Sequence, residues 1–596
     1  MRGITRRWRF RSDGPCEPST SVRDRILRAR GVTAPDEVDR WLNPTLHTLH
    51  DPSMIPDLDD AAERILACIR DGRRVVIYGD YDVDGCTGAA ILVRTIRAIR
   101  PDALVSVYIP HRLDEGYGIN AAALERLAGE GAELIVSVDC GITAIDEALL
   151  AKRLGVGLII TDHHNPPSSL EQMPDALAVV HPRRPDSAYP FGELCGAGVA
   201  FKLAWRLATM DQGSERVGEL LRETLMDLLA LAALGTIADV VPLVDENRAI
   251  VRAGLSRMRH TGVIGLTTLI NESGLGGARV EEESVGFKLA PRMNASGRLG
   301  HARETVELLL SDDAGRCEVI ARRLTRVNDE RRALCDRIQS EATERIEREG
   351  LAVDDRRAIV LADPTWHPGV IGIVCSRLVE RYGRPTILLG VEGDVCRGSG
   401  RSIDGFNLHA ALAMCAGHLE TFGGHDMAAG MRLGLDRLGA FTEAMISVAN
   451  ERLTPEDLIA VVTIDCEATL EELTPAVVTS LKALGPFGRG APTPRVLLRG
   501  LRLPRAPETM GAHGKHLKIA VERDGAHARM VAWGWGDRRA LLGAGAVIDA
   551  VVKPRLNEWR GRVTVDPEVE DIRVQDPSGS AEPETGPATS RARCPS

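Results

Sequence analysis

Val75-Val76-Ile77-Tyr78-Gly79-Asp80-Tyr81-Asp82-Val83-Asp84-Gly85 decides how the rest of this chain is read. An apolar β-type run stops abruptly and gives way to three aspartates at alternate positions and then a glycine. A buried strand would thus deliver carboxylates to a tight loop at its carboxyl end. Three like charges that close repel one another unless something positive sits between them. Two readings follow: a solvated turn, for which Asp and Gly are ordinary residues, and a divalent metal site.

Working outward, apolar runs alternate with helical patterns to about residue 185. Strand candidates are Val75–Tyr78, Leu104–Ile109, Leu134–Val138, Leu158–Ile160 and Ala178–Val180, with helices such as Thr87–Arg100, Ala121–Gly129 and Ala144–Leu154 between them. Asp59 and Asp60 stand as a cap region before a helical Ala61–Arg70. The alternation predicts an α/β fold with a parallel, doubly wound sheet.

Asp139-Cys140-Gly141 follows the third strand, and Thr161-Asp162-His163-His164-Asn165-Pro166 follows the fourth. Open α/β sheets bind ligands outside the carboxyl ends of their strands, so Asp82, Asp84, Asp139, Asp162, His163 and His164 are expected to converge in one crevice. Singly, Asp139 suits a helix cap as well as a ligand, and a lone histidine is more often packed or on the surface. Three strands ending in potential ligands carry the inference. After a helical region at about 196–235, Leu231-Ala232-Ala233-Leu234-Gly235-Thr236-Ile237-Ala238-Asp239-Val240-Val241-Pro242 sets Asp239 in apolar surroundings. A buried carboxylate needs a partner. That partner is a metal, or else a salt bridge or cap.

The chain has 596 residues, which at roughly 150 per domain suggests three or four units. Its 44% hydrophobic and 27% charged content fits a soluble globular protein, with aliphatic cores implied by 4% aromatics. The most apolar stretch, Leu228–Val244, is interrupted by Gly235, Thr236 and Asp239 and falls short of the roughly 20 residues a membrane span needs. The Arg-rich Met1–Arg11 leads into no apolar core, so the expectation is a cytoplasmic protein without a membrane partner. Twelve cysteines without a C-x-x-C pair argue against zinc ribbons and disulfide scaffolds.

With a net charge of −10, binding nucleic acid requires a local basic surface. Between Arg489 and Arg562 there are 15 Lys and Arg against 6 Asp and Glu. Alternating runs at Arg495–Leu503, His516–Glu522 and Arg529–Trp533 suggest an antiparallel barrel, and Trp533, Trp535 and Trp559 would offer stacking faces. An OB-fold for single strands combines these features; a basic surface over core tryptophans is the alternative. Asp312–Gly350 reads as a long connecting helix with Asn328 and Arg331 turned to a strand. The tail after about Asp576 reads as disordered.

These residues resemble the DHH phosphoesterase family, and within it the RecJ exonucleases. The match includes Asp80-Tyr81-Asp82-Val83-Asp84-Gly85, Val138-Asp139-Cys140-Gly141, Asp162-His163-His164 and Gly235-Thr236-Ile237-Ala238-Asp239, in family order. It continues through Tyr108-Ile109-Pro110-His111-Arg112, Glu115-Gly116-Tyr117-Gly118, Pro291–Arg298, Trp366–Val374, Gly398-Ser399-Gly400-Arg401-Ser402, Gly423–Gly430 and Gly485–Gly490. Two departures stand out. Tyr78 occupies a place where several relatives have a metal-binding histidine, and Ala491 replaces a usual asparagine.

The resemblance implies an N-terminal extension at 1–60, a DHH catalytic domain at 61–310 and a connecting helix at 311–352. A DHHA1-type accessory phosphate-binding α/β domain at 353–455, an OB-type β-barrel at 456–575 and a disordered tail at 576–596 complete it. It implies two divalent ions, Mn²⁺ or Mg²⁺, held by Asp82, Asp84, Asp139, His163 and Asp239, with Asp80, Asp162 and His164 ligating or supporting. Hard carboxylates with imidazole suit these ions. Arg112, Arg298, Ser399 and Arg401 would contact a terminal phosphate or backbone, His425 would orient the scissile group, and Asn294 joins the substrate set.

The implied activity is metal-dependent 5′-to-3′ hydrolysis of single-stranded DNA to mononucleotides in repair and recombination. The alternatives are a DHH phosphodiesterase of short oligonucleotides or cyclic dinucleotides, and a catalytically silent single-strand-binding replication factor. No G-x-x-x-x-G-K-[ST] occurs, so a helicase and a single-strand-binding protein are the expected partners.

Overall fold

A computed structural model describes residues 1–12, 20–559 and 561–575; the expected tail at 576–596 lies outside them. The chain divides into two compact units. One comprises Pro35–Leu458 with Leu484–Pro492, the other Met1–Ala34 with Ile459–Ala483 and the chain from Thr493 onward.

The larger unit contains the parallel sheet that the sequence predicts. Its strands lie in the order Val105–Tyr108, Val75–Gly79, Leu134–Val138, Gly157–Thr161, Ala178–Val180, all parallel. The two innermost strands are buried along their whole length, as helices on both faces require. Because the second strand in sequence lies outside the first, the strand order reverses between Val75–Gly79 and Leu134–Val138, and the crevice opens at their carboxyl ends. Helices Val83–Ile99 and Gly196–Gln212 pack one face, and Glu219–Ala238 packs on those helices.

The accessory lobe is a five-stranded mixed sheet built on Ile359–Asp363, Thr386–Glu392 and Val395–Arg401, extended by the hairpin Thr421–Gly424 and Ala428–Gly434. Helix Ala314–Arg348, 35 residues long and capped by Asp313, ties the lobes together. Its Cys317, Ile320, Ala321 and Leu324 belong to the core of the first lobe. Cys335, Ile338, Ala342 and Ile346 pack with Val370 and Ile371 of the second. One rigid element therefore enters both cores.

The smaller unit contains a closed five-stranded barrel: Val496–Arg502, Val547–Lys553, Glu568–Val574, Ala526–Ala532 and His516–Arg523, with Arg502 opposite Glu522 completing the ring. Residues 1–34 join this unit through non-local pairing. Arg7–Phe10 runs parallel to Val461–Ile464, and the buried Trp8 indole donates to Asp571 Oδ2 at 2.8 Å. Among the described residues no helix is long and apolar enough to cross a membrane, and the ten described cysteines are buried.

Arg248 illustrates how the larger unit fixes its loops. Buried, it donates to the carbonyls of Trp41, Leu484, Gly485 and Pro486 at 2.7–3.1 Å. Removing that charge strands four acceptors, so Arg248→Met should lower the unfolding free energy by about 3 kcal/mol in urea titration. A change under about 0.5 kcal/mol would show that water replaces the guanidinium at no cost.

Candidate metal centre

The Asp80–Gly85 loop leaves its strand and enters helix Val83–Ile99 directly. Asp82 caps that helix, its Oδ1 accepting from the amides of Asp84 at 2.8 Å and Gly85 at 3.1 Å. The solvated-turn reading is thus half true of Asp82, whose other oxygen stays uncommitted by the cap. Asp84 is buried and turned to the N-terminus of helix Gly196–Gln212, where Gly196 N meets Oδ2 at 2.6 Å and Ala197 N meets Oδ1 at 2.9 Å. Amides at a helix start favour a carboxylate. Close packing demands glycine here: a Cβ on Gly235 would lie 2.6 Å from Asp84 Oδ1, and one on Gly196 would lie 2.6 Å from the Asp139 side chain.

Asp139 ends its strand at φ 65, a left-handed conformation uncommon outside glycine, and its carbonyl accepts from the Tyr117 hydroxyl at 3.1 Å. His163 brings the group together. Its Nε2 lies 3.1 Å from Asp139 Oδ1, 3.6 Å from Asp239 Oδ2 and 3.8 Å from Asp84 Oδ2. Three sets of donor atoms each fall within 4.8 Å: Asp84, His163 and Asp239; Asp139, His163 and His164; Asp80, Asp82 and Asp139.

Asp162 differs in kind. Its Oδ2 accepts from Ile142 N at 2.9 Å, while Oδ1 accepts from His163 N at 2.7 Å and faces His164 Nδ1 at 2.8 Å. Both oxygens are spent on holding the loop. Two residues that the sequence reading missed support it from behind: His181 Nε2 faces the His164 carbonyl at 2.7 Å, and Arg183 donates to the His163 carbonyl at 2.7 Å. Isolated histidine and arginine on a loop carry no sequence signal of that task.

Burial, then repulsion from Asp82, raises Asp84 to about 6. Burial, then Asp84 and Asp82, raises Asp239 to about 8. Asp80 and Asp139 are pushed well above the carboxylate range by burial first and neighbouring aspartates next. Burial opposes ionisation of Asp162 too, but His164's hydrogen bond and charge overcome it and hold Asp162 low. The same partner, against burial, lifts His164 to about 9. His163 is lowered to about 3 by burial and by His164. A neutral imidazole is what a metal requires.

Among the described residues, Asp80 Oδ1, Asp139 Oδ1 and His163 Nε2 are buried with no hydrogen-bond partner. Orphaned buried groups of this kind are rare unless an ion or water satisfies them. Carboxylates and neutral imidazole around such atoms fit Mn²⁺ or Mg²⁺.

The chain is similar to known proteins along most of its length. The chain matches the DHH family N-terminal domain over residues 74–234, the DHHA1 domain over 355–451 and the RecJ OB domain over 464–571. It is 39% identical over 553 residues to the single-stranded-DNA-specific exonuclease RecJ of Bacillus subtilis strain 168, covering 92% of this chain and 68% of that one. The chain belongs to the RecJ family. The crystal structure of Thermus thermophilus RecJ in complex with Mn²⁺ superposes with a TM-score of 0.77 at 31% identity, covering 96% of this chain and 80% of that chain. The Mg²⁺ complex of the same protein gives 0.73 at 30% identity, covering 96% and 79%.

Within this family framework, Tyr78 is committed elsewhere. Its ring is buried beside Tyr108 at 5.0 Å, and its hydroxyl donates to the Gly118 carbonyl at 3.0 Å. Ala491 is a buried residue of the loop whose Arg489 carbonyl accepts from Leu243 N.

The substrate candidates separate into three groups. Arg112, Arg298 and Arg401 are electrostatic neighbours, with Arg331 as a fourth. Burial and the other three arginines lower Arg298 to about 9. The Arg112 guanidinium sits 4.7 Å from the centre of the Tyr81 ring, and Arg298 donates to the Gly369 carbonyl at 3.2 Å. Ser399 shares the Val395–Arg401 strand with Arg401.

Asn294 is occupied differently, its Oδ1 accepting from Val83 N at 3.1 Å, and it fixes the carboxylate loop. Asn328 likewise accepts from Arg331 at 2.8 Å. His425 lies exposed on the accessory hairpin, and no contact brings it to the carboxylates.

In the barrel unit, Trp533 is half exposed, edge-on to His516 at 4.9 Å. Trp535 is buried, so of the two it is core and not a stacking face. The Trp559 side chain lies outside the described residues. The basic window is also less basic than its count. Arg529 pairs with Asp566, Arg555 with Glu568, and Arg495 and Lys553 with Glu570, all acids just beyond it.

Raised carboxyl groups take up protons on folding. Stability of the metal-free protein should therefore fall as pH rises from about 4, where these carboxyl groups ionise in the unfolded chain, to about 8, by which Asp84 and Asp239 have both ionised in the folded one. A cation offsets that repulsion only once they are ionised. Calorimetry should show the Tm gain from saturating Mn²⁺ growing from pH 5.5 to 8. An equal gain at both would place Mn²⁺ outside this cluster.

Proposed function

We propose that the protein is a metal-dependent exonuclease that hydrolyses single-stranded DNA to mononucleotides from the 5′ end. The observation that carries this reading is the buried set Asp80, Asp139 and His163, whose orphaned atoms belong to overlapping groups of metal-ligating side chains joined through Asp139.

Asp82, Asp84, Asp139, His163 and Asp239 would hold two divalent ions, with Asp80 beside them. Bound Mn²⁺ or Mg²⁺ supplies activation of water at neutral pH and neutralises charge on the phosphodiester. The protein's own part is positioning. Amides of Gly196 and Ala197 orient Asp84, and Asp162 fixes His164 through Nδ1. His163 stays neutral because it is buried and lies beside His164. Arg112, Arg298 and Arg401, which act on one another electrostatically, with Ser399 on the strand of Arg401, would meet a terminal phosphate, which planar guanidinium groups match.

The closed barrel, with the Trp533 ring, Lys518 paired with Val531 on the adjacent strand and Lys515, whose carbonyl accepts from Gly536 N, supports binding of a strand longer than a dinucleotide. That disfavours a cyclic dinucleotide as the substrate, and the complete ligand set disfavours a silent binding factor. The expected partners are single-stranded DNA, a helicase that supplies it and a single-strand-binding protein, in the cytoplasm. Polarity rests on the family alone.

Asp139→Ala should reduce Mn²⁺-dependent cleavage of 5′- and 3′-labelled single strands by more than about 10³-fold while strand affinity stays within threefold. Retained turnover would remove Asp139 from the ligand set. Release of 3′ nucleotides first by the unaltered protein would reverse the polarity.

A further inference from the structure

The helix that opens at Glu282 and runs to Leu299 is irregular, with Val285–Leu289 forming a π-turn between α-helical segments. Such turns are rare and concentrate at functional sites. Val285 and Leu289 anchor it in the main core. Gly286, Phe287 and Lys288 between them face solvent. Phe287 is 80% exposed, more than any other large hydrophobic side chain among the described residues. Arg292 fastens the turn, donating to the Lys288 carbonyl at 2.7 Å and to Thr325 Oγ1 at 3.3 Å.

A short chain of contacts links this turn to the metal centre. Asp239 is followed by Val240, a β-branched residue held at φ 60 with its side chain 59% exposed. Leu243 N donates to the Arg489 carbonyl at 2.7 Å, and the exposed Arg489 side chain is close enough to act on Asp239 electrostatically. Phe487 N, in the same loop, donates to Glu282 Oε1 at 2.8 Å, at the start of the helix that carries Phe287. The elements linked in this way thus offer Val240 and Arg489 near Asp239, and Phe287 and Lys288 on the helix that Glu282 begins. Cations and an open aromatic face on linked elements match a sugar–phosphate backbone with an unstacked base.

We propose that Phe287 is a stacking platform for a nucleobase of the single strand engaged at the metal centre, with Arg489 and Lys288 meeting the phosphates beside it. The proposal rests on the exonuclease reading above and adds a place where the strand is gripped. Length matters to it. A platform set away from the scissile bond helps only strands that reach it.

The test uses the full chain with Mn²⁺ and labelled oligothymidylates of 2 to 20 nucleotides, comparing the unaltered protein with Phe287→Ala and Phe287→Trp. For Phe287→Ala, KM for the longer strands should rise about tenfold. Its kcat/KM on the dinucleotide should stay within twofold, and Phe287→Trp should restore the long-strand KM. The 20-mer, and not the dinucleotide, should quench the indole emission of Phe287→Trp, read without metal, by more than it quenches that of the unaltered protein, whose seven tryptophans set the baseline. Equal KM values at every length, or an effect on self-association in place of strand affinity, would overturn the platform while leaving the nuclease intact. If the unaltered protein cleaves no single strand, the exonuclease reading fails separately, and the quenching experiment alone decides the platform.

Discussion

Everything at the crevice follows from confining several carboxylates where water cannot screen them. Asp80, Asp84 and Asp139 are buried, and Asp239 lies close by. Desolvation and mutual repulsion act together, and each raises the cost of ionisation. The fold offsets part of it with backbone amides at the start of helix Gly196–Gln212, while Gly196 and Gly235 leave room for the side chains of Asp139 and Asp84. What remains uncompensated is the reason a divalent cation belongs there.

The supporting shell has its own logic. Asp162 ionises readily because amides and His164 surround it, and it thereby sets the position of His164. His181 and Arg183 hold the carbonyls of His164 and His163. Asn294, offered as a substrate contact, anchors Val83 N and so braces the aspartate loop itself. Helix Ala314–Arg348 plays the same part at larger scale, entering the cores of both lobes and fixing where Arg331 stands near Arg298.

The parallel sheet and its convergent strand ends were legible in the sequence, because strand periodicity and the residues after each strand act locally while topology does the assembling. Roles were less legible where they depend on partners far away. Nothing in Asp162-His163-His164 says that the first residue spends both oxygens on the loop while the second stays neutral. Trp535 and Trp533 are two residues apart, yet only Trp533 is exposed. The basic window of the barrel loses charge to Asp566, Glu568 and Glu570, which a count ending at Arg562 omits. Residues 1–34 join the barrel unit by pairing with strand Val461–Ile464, across more than 400 residues of sequence.

The central claim is that the buried carboxylates and His163 exist to bind metal. Anomalous scattering at the manganese edge, from crystals of the protein grown with Mn²⁺, tests it most directly. Two peaks are expected, both within coordination distance of the set Asp82, Asp84, Asp139, His163 and Asp239. Density confined to other sites, with these atoms left unliganded, would contradict it.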